Sequence, residues 1–131
     1  MKDNLLESYT EILQKKGFAN LSTIQPDGSP QVTPVWFDHE NGLIRINTAV
    51  GRIKDRNMRE RPKVAISILD PDNPYKYVSI RGVVQKRTLE GADEHINSLS
   101  KKYLGVDEYP YRSPDETRVL YIITPITVSG M

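Results

Sequence analysis

Apolar positions at the start of the chain recur at helical spacing. Leu5, Leu6, Tyr9, Ile12 and Leu13 form one stripe, with Asp3 or Asn4 available as a cap and Gly17 able to close the end after Lys15 and Lys16. This predicts a surface helix with one buried face. The period then changes. Residues 18–24 read as a strand, and Gln25-Pro26-Asp27-Gly28 as a turn. Pro26 presets its backbone angle there, and Gly28 takes the positive one. The chain returns over 30–38 as the second arm of a hairpin. Pro34 lies inside that arm. Proline cannot donate to a ladder, so it marks an edge, a bulge or a break. The backbone groups released there face either a ligand or a plain bulge.

Asn41-Gly42 is a hairpin signal beside His39, which reads as a solvent residue. A third strand over 43–48 runs into Asn47-Thr48-Ala49-Val50-Gly51-Arg52-Ile53-Lys54-Asp55-Arg56-Asn57-Met58-Arg59. There Gly51 breaks the chain, and a short basic helix runs until Pro62 stops it. Residues 64–69 form a nearly continuous apolar run, read as a strand buried on both faces. After a turn at 70–74, residues 75–86 alternate as a long strand with Gly82 at a bulge or coil. A helix over 91–104 carries Ile96, Leu99 and Tyr103 on one face, with His95 at the edge of that face. A polar loop spans 106–116, and 117–128 is the last strand. About six strands and three helices result, an antiparallel α+β domain, mainly β, with a barrel and outer helices.

The 131 residues suit one domain, expected to span 1–131. A net charge of +1 argues against a bulk nucleic-acid binder. The chain has no cysteine, which excludes disulfides and thiolate metal sites. No apolar stretch suits a membrane span, so a cytoplasmic protein without membrane or metal is expected. HExxH, paired-carboxylate, Walker and Rossmann signatures are all missing. The chemistry is therefore expected to come from a cofactor.

The strand–Gly–helix junction supplies free N–H groups at a helix start. Arg52 and Lys54 fall in the first turn and Asn57 one turn on, a candidate phosphate cradle. A solvated basic helix is the competing reading. On an ideal helix Arg56 and Arg59 point elsewhere and suit solvent. Tyr75 and Tyr77 share one strand face and suit either a planar ligand or simple packing.

Several of these segments align in order with one known group. Asp27-Gly28-Ser29-Pro30-Gln31-Val32-Thr33-Pro34-Val35-Trp36, Gly51 to Arg59 with Pro62-Lys63-Val64-Ala65, Asp70-Pro71-Asp72-Asn73-Pro74-Tyr75-Lys76-Tyr77-Val78 with Arg81-Gly82, and the closing Arg118-Val119-Leu120-Tyr121-Ile122-Ile123-Thr124-Pro125 resemble the pyridoxamine 5′-phosphate oxidase-like superfamily. The branch they resemble is the flavin/deazaflavin (F420)-dependent oxidoreductases.

The resemblance implies a six-stranded antiparallel split β-barrel with flanking helices, paired as a homodimer with cofactor at the interface. It implies that Arg52, Lys54 and Asn57 bind the cofactor phosphate, assisted by Asn47 and Thr48. Gln31, Thr33, Pro34 and Val35 are expected along the tricyclic ring, and Tyr75 and Tyr77 to come from the partner. The implied cofactor is coenzyme F420, with FMN as the alternative. The implied activity is hydride transfer between reduced deazaflavin and a small unsaturated organic substrate. An FMN-binding oxidoreductase and a non-enzymatic carrier are the alternatives on this fold. A ligand-free basic-helix interaction module is the alternative outside it.

Overall fold

The computed structural model describes residues 4–131. Its strands are β1 (Ala19–Ile24), β2 (Pro30–Val35), β3 (Phe37–Glu40), β4 (Leu43–Ala49), β5 (Lys63–Asp70), β6 (Asn73–Thr88) and β7 (Arg118–Gly130). Its helices are α1 (Thr10–Leu13), preceded by a 3-10 turn at Glu7–Tyr9, then α2 (Ile53–Glu60) and α3 (Ala92–Leu104). The first helix is thus shorter than its apolar stripe suggested. Asn4 Oδ1 accepts from the Leu6 N–H at 3.0 Å, while Asp3 lies outside the described residues.

All strands join one antiparallel sheet in the order β2-β1-β5-β6-β7-β4-β3. Among the described residues there are seven strands and not six, because the predicted 30–38 strand divides at Trp36. Up to Val35 the chain pairs with β1, and from Phe37 it pairs with β4. These partners lie towards opposite ends of the sheet. Yet one residue separates β2 from β3, and consecutive Cα atoms are only about 3.8 Å apart. The sheet must therefore curl until its two edges meet. The chain itself closes this half-barrel, without a ladder at the seam. Pro34 sits on the edge strand β2, where a missing N–H is tolerated.

Inside the curl, Phe37, Ile44, Ile46, Ile68, Ile80, Val119, Tyr121 and Ile123 form the core with Leu13 and Leu21. The long strand β6 bends at a register shift between Arg81 and Gly82. A Cβ on Gly82 would lie 2.9 Å from the Thr124 carbonyl oxygen, so only glycine lets β7 approach this closely. The Asn41-Gly42 turn has positive φ at both residues, as that dipeptide predicts.

The expectation for β5 needs correction. Val64, Ile66 and Ile68 are buried, but Ala65 and Leu69 on the other face are exposed. That outer face opens onto an apolar groove of about 640 Å³, lined in part by Ile24, Val83 and Ile126. No helix among the described residues is long and apolar enough to cross a membrane.

Candidate functional site

At the end of β4 the chain turns through Gly51 (φ 91°) into α2. This junction is anchored from below. The Gly51 N–H donates to Asp55 Oδ2 at 2.9 Å, and the same fully buried carboxylate accepts from Arg87 Nε at 2.9 Å and from the Tyr121 hydroxyl. Burial works to raise the Asp55 carboxyl, but hydrogen bonds from Arg87, Tyr121 and Gly51 outweigh it and hold it below the usual range. The start of α2 is therefore tied to β6 through Arg87 and to β7 through Tyr121.

A cleft of about 250 Å³ opens above the junction. Arg52 lines it from the residue before α2 and Lys54 from the helix's first turn, Asn47 and Thr48 from β4, Pro34, Val35 and Trp36 from the seam, and Arg118 from the start of β7. Ladder pairing of Ala49 with Arg118, and a bond from the Val50 N–H to the Thr117 carbonyl at 2.8 Å, bring Arg118 here. Lys54 is half-buried beside two guanidiniums. Burial, then the charges of Arg52 and Arg118, push its ammonium below its ordinary value. Glu116 partly offsets this cluster, with Oε2 3.1 Å from Arg52 and Oε1 2.7 Å from Arg118.

Thr48 lines the same cleft, and its hydroxyl is buried with no hydrogen-bond partner among the described residues. A buried, unsatisfied hydroxyl costs about 1–3 kcal/mol. Three cations and an unpartnered hydroxyl fit a phosphate group. Aromatic rings also line the cleft. Trp36 stacks on Tyr103 at 5.1 Å, and Tyr109 of the 106–116 loop meets Trp36 edge-on at 6.0 Å. Tyr111 extends this aromatic group and is exposed. The cleft thus combines cations with flat apolar rings.

Six of the residues singled out from the sequence meet here: Pro34, Val35, Asn47, Thr48, Arg52 and Lys54. Gln31 and Thr33 share a face of β2 with Val35 but lie beyond the cleft lining. Asn57 does not join them. It is buried on another side of α2, donating to Thr23 at 3.0 Å and Gln25 at 3.2 Å and accepting from Arg61 at 3.3 Å. Tyr75 and Tyr77 stand at the start of β6 outside the cleft, Tyr75 81% exposed. Arg56 and Arg59 are exposed, as helix geometry predicts, and border a separate groove.

Two features escaped the sequence reading. Arg118 is far from Arg52 along the chain, and only the β4–β7 register joins them. His95, expected at the edge of the apolar face of its helix, is buried and bonded to Asn47 and Asp38.

The pyridoxamine 5′-phosphate oxidase family model matches residues 5–131. A solved structure named F420 Reductase has 29% sequence identity and a TM-score of 0.80, with 98% of each chain covered. General Stress Protein 26 from Bacillus anthracis has 22% identity and a TM-score of 0.72, covering 98% of this chain and 95% of that one. The second likeness shows the shared fold. With a family match across nearly its whole length, the chain belongs to the pyridoxamine 5′-phosphate oxidase family.

Proposed function

We propose that this protein is a flavin-type oxidoreductase whose cofactor phosphate docks at the junction of β4 and α2. The observation that carries this reading is the convergence of three cations, Arg52, Lys54 and Arg118, on one cleft that Thr48, with its partnerless hydroxyl, also lines. In this reading Lys54 and Arg118 bind the phosphate, Arg52 guards its solvent side, and Asn47 orients Arg118. Pro34 and Val35 lie along the cofactor ring, with Gln31 and Thr33 continuing that strip on β2. Trp36 and Tyr109 keep water from one side of the ring. The bound cofactor supplies two-electron hydride chemistry to a small unsaturated substrate.

Coenzyme F420 is the cofactor this reading favours, on the likeness to the structure named F420 Reductase. One observation favours FMN as the second reading. Arg56 and Arg59 border the groove on another face of α2 and do not prolong the cleft. A ligand with a short anionic tail suits that arrangement.

The protein is further proposed to act as a homodimer, a second copy covering the apolar groove on β5 and β6 and bringing Tyr75 and Tyr77 toward the neighbouring site. A sheet face carrying exposed Ala65 and Ile126 supports it. Titration of the purified protein with F420 and with FMN tests the cofactor reading. Saturable binding of either, weakened by Arg118→Ala, supports it, and failure of both overturns it.

A further inference from the structure

We propose that His95 is a positioning residue for the anion cradle: its ring fixes the amide of Asn47, and that amide fixes the guanidinium of Arg118. The inference rests on the reading that this cleft takes a phosphate. Its own basis is a run of hydrogen bonds, buried at Asn47 and partly buried at Asp38, whose polarity is set at one end.

Asp38 on β3 is that end. Its carboxylate is gripped by Arg45, with Nε 2.8 Å from Oδ1 and Nη2 2.7 Å from Oδ2. Being ionised, it can only accept. His95 Nε2, 3.1 Å from Oδ1, must therefore carry a proton. In the neutral ring Nδ1 is then an acceptor, 3.2 Å from Asn47 Nδ2. The second Nδ2 hydrogen goes to the Ala92 carbonyl at 2.8 Å. Both donors of the amide are now engaged on one side, so Asn47 Oδ1 faces Arg118 Nε at 2.8 Å. A flipped amide would set oxygen against the Ala92 carbonyl and N–H against the Arg118 N–H, leaving buried groups unpaired.

Arg118 is thereby held at Nε, while Glu116 holds Nη1 and the guanidinium lies 5.3 Å from the Tyr109 ring centre. Among the described residues its Nη2 has no protein acceptor, and the side chain lines the cleft beside Lys54. The run thus crosses from β3 through α3 and β4 to β7 and ends on an N–H group free for a ligand. His95 itself is outside the cleft lining, so it acts through Arg118.

A double-mutant cycle on affinity for F420 and FMN tests this, using wild type, H95F, R118M and the double variant. For the compound that wild type binds, H95F and R118M each weaken binding by about tenfold, and the double variant binds no worse than R118M. Additive losses, or wild-type affinity in H95F, overturn the inference. Where H95F does not fold, H95Q, which keeps one donor and one acceptor, replaces it. It is expected to retain near wild-type affinity, and a loss additive with R118M overturns the inference. A ligand-free readout separates the two claims. The Arg118 Nε–H proton is expected to exchange slowly with solvent in wild type and rapidly in H95F. Wild type that binds neither compound sinks the cofactor reading, while loss of Nε–H protection in H95F still supports the positioning role. Protection unchanged in H95F overturns that role.

Discussion

Lys54 and Thr48 are the residues at which the proposed function is most exposed to test. Lys54 is held half-buried beside Arg52 and Arg118, a cluster whose mutual repulsion Glu116 offsets only in part. Lys54→Ala is therefore expected to weaken cofactor binding by about 1–3 kcal/mol, the scale of a charge-assisted hydrogen bond, while leaving the fold intact. Calorimetric titration reads this directly, and unchanged affinity removes Lys54 from the site. Thr48 gives a prediction of opposite signs. Its hydroxyl is buried without a partner, so Thr48→Val keeps the shape and removes an unsatisfied group. The ligand-free protein is expected to gain about 1 kcal/mol of stability, and the cofactor to bind more weakly by a similar amount. Thermal melts with and without cofactor show both. A stability loss in the ligand-free state contradicts the reading of Thr48.

Among the elements, the edge strand β3 carries a pH dependence. Burial works to raise the Asp38 carboxyl, but hydrogen bonds from His95 and Arg45 outweigh it and pull it down to about 2 from an ordinary 3.8. The folded value is the lower one, so the unfolded chain binds more protons between them. This contribution is complete above the ordinary value and disappears as pH falls through about 2. It is worth about 2 kcal/mol. Asp38→Asn should flatten the acid limb of the stability curve in that window, as read by denaturant titration at several pH values. An acid limb identical to that of wild type contradicts it.

What was legible at this scale followed from local chemistry. Asn41-Gly42, Gly82 and the strand–Gly51–helix junction each have a steric or hydrogen-bonding cause within a few residues. The division of 30–38 at Trp36 was not legible. Pro34 announced a break, but which strand receives the chain afterwards depends on pairing with β4. Asn57 was misplaced for a related reason. Its residue type suits a phosphate, yet the rotation of α2 against β1 turns it towards Thr23 and Gln25.

For the molecule as a whole, the apolar character of 64–69 was plain, but what covers its second face was not. That face lies open along β5, and Ile126 stands 57% exposed beside it. A dimer through this face predicts that Ile126→Glu yields a monomer in sedimentation at micromolar concentration, where wild type is a dimer. A monomeric wild type contradicts the shared-groove arrangement. The site is non-local in the same sense. Its β4–α2 half could be read from one continuous stretch, whereas Arg118 reaches it only through the sheet register and Tyr109 only through the packing of the loop after α3. The structure of the protein in complex with F420 or FMN tests the account most directly. The phosphate is expected within hydrogen-bond distance of the Thr48 hydroxyl, Lys54 and Arg118, with the ring along Pro34 and Val35. A bound cofactor whose phosphate lies away from these three residues would contradict it.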